Sequence, residues 1–147
     1  MRLVGAERYK PTLSAELAQQ LSSEPLPGSG AAASADVAHH LAHSYGDRAQ
    51  EVLKLAREKG LGGRLVPGHA ILDAEVLYCA TREYCETVDD FLERRTRLAF
   101  IDAKAALAAV PRVAELLAQA HGWSRDRRAK EAERARAMLT RQFFAAP

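Results

Sequence analysis

Apolar residues recur at spacings of three and four along most of this chain, and this periodicity constrains its fold more than any other feature. Leu13, Leu17 and Leu21 form one such series, and Val113 and Leu117 belong to another. These spacings follow the 3.6-residue turn of an α-helix, and no stretch alternates with the period of two that a half-buried strand requires. Much of the 48% hydrophobic content is alanine, which suits closely packed helices. The sequence therefore predicts an all-α fold, a compact orthogonal bundle of about seven or eight helices with no significant sheet.

Turn formers and capping residues divide the first half of this pattern into helices. Pro11–Ser14 is typical of a helix start, and a second helix begins near Ser34 or Asp36. That helix ends at Tyr45-Gly46, because glycine readily takes the left-handed conformation that closes a helix. Asp47 is predicted to cap a third helix together with Gln50 in a capping-box-like pair.

The second half contains the most apolar helix and the most charged one. Residues 69–83 are apolar on most sides, which is typical of a central helix. Asp102 is predicted to cap a short helix, and Pro111 to open a separate one from its first turn. Ser124 is predicted to cap a last, highly charged helix over residues 125–143.

Two stretches lack this periodic pattern. Residues 22–35 are rich in serine, proline, glycine and alanine, so they bury too little surface to offset their ordering entropy and are predicted to form a flexible loop. Residues 1–11 are predicted to be an incoming linker. The whole chain, residues 1–147, is predicted to be a single helical domain.

A capped segment with three arginines follows the apolar stretch of residues 69–83. Thr87 can accept a backbone N–H from the first turn of its helix, and Asp90 can reach back as the acidic partner of a capping box. The same helix then carries Arg94, Arg95 and Arg97 beside strongly apolar residues. We expect one of these arginines to pair with Glu75, an acid inside the apolar face of residues 69–83, and so to hold helices together through charge-assisted hydrogen bonds.

Cysteine and histidine offer weak candidates for chemistry. Cys79 and Cys85 are six residues apart on a predicted helical region, so they are expected on different faces without a mutual disulfide, as suits a reducing compartment. His39 and His43 have the spacing to chelate zinc from one helix face. A zinc site needs two further ligands, which no pattern supplies, so solvated imidazoles are favoured and no metal is predicted.

No self-contained active site is evident. Gly60-Leu61-Gly62-Gly63 lacks the preceding strand and the glycine spacing of a phosphate-binding loop. The net charge of +2 excludes no class of partner, and neither a membrane span nor a secretory signal is found.

The last helix is rich in arginine, so an autonomous adaptor or nucleic-acid-binding module stays open as an alternative. Acidic residues dilute its charge, which favours a solvated face and no nucleic-acid partner.

Four blocks in chain order carry a resemblance to a known family: Arg2-Leu3-Val4-Gly5 with Pro11-Thr12-Leu13; His40-Leu41 with Tyr45-Gly46-Asp47-Arg48-Ala49; Asp73-Ala74-Glu75-Val76; and Glu83-Tyr84 through Arg94-Arg95-Thr96-Arg97-Leu98-Ala99-Phe100 to Gly122-Trp123. Together they resemble the C-terminal helical domain of FAD-dependent glycerol-3-phosphate dehydrogenases and the related α-glycerophosphate oxidases. Residues 22–35 resemble an insertion in that pattern, and Gly68-His69-Ala70 replaces a more aromatic stretch.

The resemblance implies a structural role for this chain. Such enzymes oxidise sn-glycerol 3-phosphate to dihydroxyacetone phosphate on FAD, and they pass electrons to quinone at a membrane or, in the oxidases, to oxygen. Their flavin and substrate sites belong to a large N-terminal region. This chain is therefore expected to be a cap for that region, with no catalytic, cofactor-binding or metal-binding residue of its own. The implied parent is associated with the mitochondrial inner membrane or, in a prokaryote, with the cytoplasmic membrane, and the cap is expected to contribute to a homodimer.

Overall fold

Helices make up nearly all of the regular structure in the computed structural model, which describes residues 10–28 and 35–145. In these ranges the only β-pairing is an isolated bridge between Arg64 and Leu72. The all-α prediction is thus confirmed. Seven α-helices lie within the described ranges: α1 (Leu13–Ser23), α2 (Ala35–Tyr45), α3 (Ala49–Lys59), α4 (Asp73–Arg82), α5 (Leu98–Ile101), α6 (Ala103–His121) and α7 (Arg125–Phe143), with a 3-10 turn at Gly46–Arg48 and a π-helix at Asp90–Arg95.

The chain forms two compact units, Met1–Ala74 and Glu75–Pro147. In the first unit α1 packs against α2, and Leu17 and Leu41 are among the side chains fully removed from solvent. Burying a leucine contributes roughly 1.5–3 kcal/mol, so these contacts outweigh the weak propensity of an isolated eleven-residue helix. The apolar faces predicted for the helices of this unit are confirmed, since their leucine, valine and alanine positions are buried.

The start of the predicted flexible loop is packed. Helix α1 continues through Ser23, the side chain of Leu26 is buried, and the Gly62 N–H donates to the Pro27 carbonyl at 2.9 Å. A methyl group on Gly62 would lie 2.3 Å from the Leu26 Cβ, so glycine permits this close approach. Residues 29–34 of the predicted loop, like nearly all of the predicted linker at residues 1–11, lie outside the described residues.

Asp47 does not hold the cap position predicted for it. The chain forms a 3-10 turn after Tyr45, and α3 begins only at Ala49, with Arg48 at its N-cap and no side-chain cap bond. A preceding 3-10 turn supplies backbone bonds at this helix start, so the side-chain cap is dispensable. The predicted ends of α2 and α3 are confirmed, since Gly46 and Gly60 both adopt left-handed backbone conformations, with φ of +56° and +67°.

Pro111 lies inside a continuous helix rather than at the start of one. Asp102 does cap α6, accepting the Ala105 N–H at 2.9 Å, but the helix then runs through Pro111 to His121. A proline in a helix interior removes one backbone bond and costs about 3 kcal/mol. The buried face of α6 offsets this cost in the second unit, where it packs against α7. The prediction of a short helix followed by a separate one is therefore wrong.

Helix α4 is shorter than the predicted 69–83 stretch. It begins at Asp73, because the chain before it folds back through a bond from the Leu65 N–H to the Ile71 carbonyl at 2.8 Å. Its residues from Asp73 to Val76 are all buried, which matches a helix apolar on most sides, and Glu75 is fully buried among them. None of the helices in the described residues has the length and hydropathy needed to span a membrane.

Candidate functional site

The start of the arginine-rich segment is closed by the predicted capping box. The Glu86 and Thr87 N–H groups donate to Oδ2 of Asp90 at 3.1 and 3.0 Å, and the Asp90 N–H donates to Oγ1 of Thr87 at 3.2 Å. Burial alone would raise the pKa of Asp90, but these bonds and the Arg94 guanidinium together lower it. Thr87 and Asp90 therefore fix where this segment begins, as the sequence predicts.

The helix after this cap is a π-helix, which no feature of the sequence indicates. It spans Asp90–Arg95, and both the N–H and the hydroxyl of Thr96 donate to the Phe91 carbonyl, at 3.0 and 2.9 Å. The wider turn keeps Phe91 and Leu92 fully buried. Such helices are rare and occur frequently at functional sites.

Arg94, Arg95 and Arg97 do not form the charged joint with Glu75 that the sequence predicts. All three are exposed. Arg94 pairs with Asp90 one turn earlier, and Arg95 donates to the Glu83 carbonyl at 2.6 Å. Among the described residues Arg97 forms no ion pair, and its φ of +56° ends the segment in a left-handed conformation. The prediction that one of these arginines holds helices together by pairing with Glu75 is therefore wrong, because all three side chains are exposed and their contacts are with Asp90 and the Glu83 carbonyl.

Replacing Arg97 with alanine should lower the free energy of unfolding by less than about 1 kcal/mol. The guanidinium is exposed and alanine inherits the same backbone strain, so only a solvated side chain is lost. Urea unfolding followed by circular dichroism measures this change. A loss of about 3–5 kcal/mol would instead indicate a buried ion pair and contradict the structure.

A different arginine forms the charged joint of the second unit. Nη2 of Arg134, on α7, lies 2.6 Å from Oδ2 of Asp89 and 2.8 Å from Oε1 of Glu131. Oε1 of Glu131 also accepts the Val88 N–H at 3.0 Å. We call Val88, Asp89, Glu131 and Arg134 the Arg134 network. It connects the start of the π-helical segment to a helix some 43 residues later in the chain.

The pKa shifts in this network show that the charged forms are stabilised. Burial of Glu131 would raise its pKa, but the bonds from Arg134 and from the Val88 N–H lower it overall. The pKa of Arg134 is raised, because its hydrogen bond to Glu131 stabilises the charged guanidinium by more than burial destabilises it. Sequence reasoning missed this network because Glu131 and Arg134 resemble a solvated charged face, and Asp89 is distant from both in sequence.

Tyr84 is the most exposed large hydrophobic side chain in the described residues, at 87%, and its backbone is strained, with a φ of +53°. Tyr84 and Arg97 are the only non-glycine residues in these ranges with positive φ. A left-handed conformation costs a residue with a Cβ about 1–2 kcal/mol. Strained positions of this kind cluster at functional sites, where surrounding contacts maintain them.

Contacts on both sides of Tyr84 maintain this conformation. The N–H groups of Glu83 and Cys85 both donate to the Cys79 carbonyl, at 2.9 and 3.2 Å. Arg95 binds the Glu83 carbonyl, and Nε2 of His121 lies 2.9 Å from the Cys85 carbonyl oxygen. The Tyr84 side chain is thus displayed to solvent from a firmly held turn.

Cys79 and Cys85 are both buried, and neither is part of a disulfide in the structure. Cys79 lies on α4, but Cys85 lies in the turn after that helix rather than on a second face of it. Burial, reinforced by the negative charge of Asp90, raises the pKa of Cys85 to about 12. Its sulfur therefore stays protonated at neutral pH.

Cys79 and Cys85 should resist alkylation in the folded chain. Because only the thiolate reacts and both side chains are fully buried, iodoacetamide at pH 8 should modify neither residue within the time that labels a free thiol. Intact-mass spectrometry should show no adduct in buffer and two adducts after unfolding in urea. Rapid labelling of the native chain would contradict this burial.

The motif block from His40 to Ala49 lies in the first unit. His40 is half-buried on α2, with Nδ1 3.4 Å from Oγ of Ser44. Tyr45 ends that helix and Gly46 turns the chain, while Arg48 pairs with Glu51. These contacts are local to helix ends and carry no evident chemistry.

The described residues contain no group of three or more histidine, cysteine and acidic side chains that could hold a metal ion. His39 and His43 are exposed, with ring centroids 6.2 Å apart. The glycine-rich loop does not fit the pyrophosphate of a flavin cofactor either. In the described part of the chain no strand leads into this loop. The space beside Gly62, where a phosphate would have to approach, is occupied by the Leu26 side chain and the Pro27 carbonyl.

The basic face of α7 is partly engaged within the chain. Arg134 belongs to the network described above, and the Arg127 guanidinium lies 4.9 Å from the centroid of the Trp123 ring. Arg125, Arg128 and Lys130 are exposed at the same end of the helix. A nucleic-acid-binding role for this helix stays an untested alternative.

Comparisons with known proteins place these features in one family. A family model described as the C-terminal domain of alpha-glycerophosphate oxidase matches residues 1–128. The mitochondrial glycerol-3-phosphate dehydrogenase SDP6 of Arabidopsis thaliana is 41% identical over 146 residues, which are 95% of this chain and 23% of that protein. The mitochondrial glycerol-3-phosphate dehydrogenases of Mus musculus and Homo sapiens are 39% and 37% identical over 142 residues, 93% of this chain and 18% of each protein. The chain thus spans about a fifth of the length of these relatives, and no solved structure matches it.

Proposed function

This chain belongs to the family of alpha-glycerophosphate oxidase C-terminal domains, and from that premise we propose that it is the structural C-terminal part of an FAD-dependent glycerol-3-phosphate dehydrogenase. The parent enzyme oxidises sn-glycerol 3-phosphate to dihydroxyacetone phosphate and passes the electrons to quinone. One observation carries this proposal. The relatives that match nearly the whole chain are named glycerol-3-phosphate dehydrogenases, yet this region makes up only about a fifth of each.

The proposal assigns FAD and the substrate to the larger region of the parent enzyme. FAD bound in that region would accept the electrons removed from glycerol 3-phosphate. The chain's own residues support this division, because its glycine-rich loop packs against Leu26 and Pro27 and does not form a phosphate cradle. In the second unit the capping box and the Arg134 network instead stabilise a helical scaffold. We propose that this scaffold covers the flavin-binding region.

The setting of the parent enzyme follows from the same relatives. They are named as mitochondrial, so we propose association with the mitochondrial inner membrane, or with the cytoplasmic membrane in a prokaryote. Contact with the membrane would then come from the rest of the parent enzyme or from exposed helix faces. A homodimer of the parent enzyme is part of the same proposal.

A chimera tests the proposed function. This chain replaces the matching region of the Arabidopsis thaliana relative, and glycerol 3-phosphate-dependent reduction of a soluble quinone is measured. We expect the chimera to retain flavin and activity, the relative without its matching region to lose them, and this chain alone to show neither. A folded but inactive chimera, or turnover by this chain alone, would contradict the proposed role.

A further inference from the structure

The turn that displays Tyr84 combines exposure, strain and support. The tyrosine is 87% exposed at a positive φ, while Cys79, Arg95 and His121 hold the backbone on either side of it. A flexible turn would relax from this conformation, so these contacts hold the strained backbone in place and fix where the exposed ring begins. A rigid, presented tyrosine binds partners at a low entropic cost, and tyrosine and arginine are enriched among residues that dominate interface energies.

The charge beside Tyr84 indicates the chemistry of its partner. Arg95 reaches the backbone of this turn, but within the described part of the chain its guanidinium meets a carbonyl and forms no ion pair with an acid. An exposed guanidinium without a carboxylate partner would be complemented by a surface that offers a carboxylate, which arginine binds in a bidentate manner.

We propose that Tyr84 and Arg95 form a docking surface for the flavin-binding region of the parent enzyme. The inference rests on the proposed function, and it adds which surface of this chain meets that region. The relatives supply the occupant, since about four-fifths of their length lies outside the region that this chain matches. On the partner we expect a shallow apolar recess for the tyrosine ring, bordered by a carboxylate for Arg95.

Binding in trans tests this surface. The probe is the Arabidopsis thaliana relative lacking its matching region, immobilised for biolayer interferometry against this chain. We expect Tyr84→Ala and Arg95→Ala each to weaken binding at least tenfold, and Arg95→Lys to weaken it less than Arg95→Ala does. Ile101→Ala and Arg125→Ala are the matched controls, because both residues are exposed and lie outside the surface. These should change the dissociation constant less than twofold.

Tyr84→Gly separates docking from folding. Glycine adopts a positive φ without the Cβ penalty, so this variant should unfold at an unchanged or higher temperature in the isolated chain and still bind at least tenfold more weakly. In the chimera, Tyr84→Ala and Arg95→Ala should lower the temperature of flavin release while both controls leave it unchanged. This second measurement decides the matter where the truncated relative does not fold.

The outcomes distinguish the two proposals. An inactive wild-type chimera overturns the proposed function. An active chimera whose Tyr84 and Arg95 variants match the wild type in binding and flavin release overturns only the docking surface. Losses as large in Ile101→Ala also overturn it. The Tyr84 and Arg95 variants could also change self-association of the isolated chain while binding the probe as the wild type does. That result would assign the surface to contact with a second copy of this chain, and it also overturns the inference.

Discussion

Replacing Phe91 with alanine should lower the free energy of unfolding by about 3–5 kcal/mol. Phe91 is the largest of the fully buried side chains, and it lies in the π-helix, where its carbonyl accepts two bonds from Thr96. Truncation would lose the transfer free energy of the ring and leave a cavity that a closely packed helical core fills only in part. Urea unfolding of the chain, followed by circular dichroism, measures this loss.

Phe100 provides the matched control for Phe91. It is the same residue type nine positions later, but its side chain is 56% exposed and contacts Phe143 edge-to-face, with ring centroids 5.5 Å apart. Phe100→Ala should therefore cost less than about 1 kcal/mol. Similar losses for the two variants would show that Phe91 is not the core residue of this segment.

Replacing Arg134 with alanine should lower the free energy of unfolding by about 2–3 kcal/mol. The change leaves the Asp89 carboxylate, whose residue is only 7% exposed, and the carboxylate of Glu131 without their cation. Breaking a fully buried pair costs about 3–5 kcal/mol, and the effect is smaller here because the Arg134 side chain is 48% exposed. Chemical unfolding of the two proteins at pH 7 gives the difference.

Two further variants identify the cause of this loss. Arg128→Ala removes an exposed arginine from the same helix and should cost less than about 0.5 kcal/mol. Combining Arg134→Ala with Asp89→Asn should recover part of the loss, because the uncompensated buried charge is then neutral. Equal losses from Arg134→Ala and Arg128→Ala would mean that the Arg134 network contributes nothing specific.

Local rules of the sequence predicted several of the helix boundaries. Thr87 with Asp90, Asp102 and Ser124 all cap the helices at which they were expected, because an N-cap bond joins residues only two or three positions apart. Glycine ends helices at the expected positions for an equally local reason, its tolerance of positive φ. The periodic apolar faces also predicted the buried residues of most helices.

The same local rules failed wherever distant contacts override them. Pro111 opens a helix by every local criterion, yet α6 continues through it because the helix buries a long face against α7. Residues 24–28 have the composition of a loop, but Leu26 and Pro27 pack closely on Gly62. Packing of this kind depends on residues far apart in sequence, so composition does not reveal it.

The sequence by itself determined the helical class, the caps and the resemblance to one family, because each depends on residue types at short, fixed spacings. Only the tertiary structure decided which arginine is the charged joint. Arg94, Arg95 and Arg97 stand beside apolar residues but are exposed, whereas Arg134 meets Asp89 across the second unit. The physical reason is that an ion pair needs proximity in space. The sequence fixes only the spacing of charged residues along the chain, and the packing of helices determines which of them come close together.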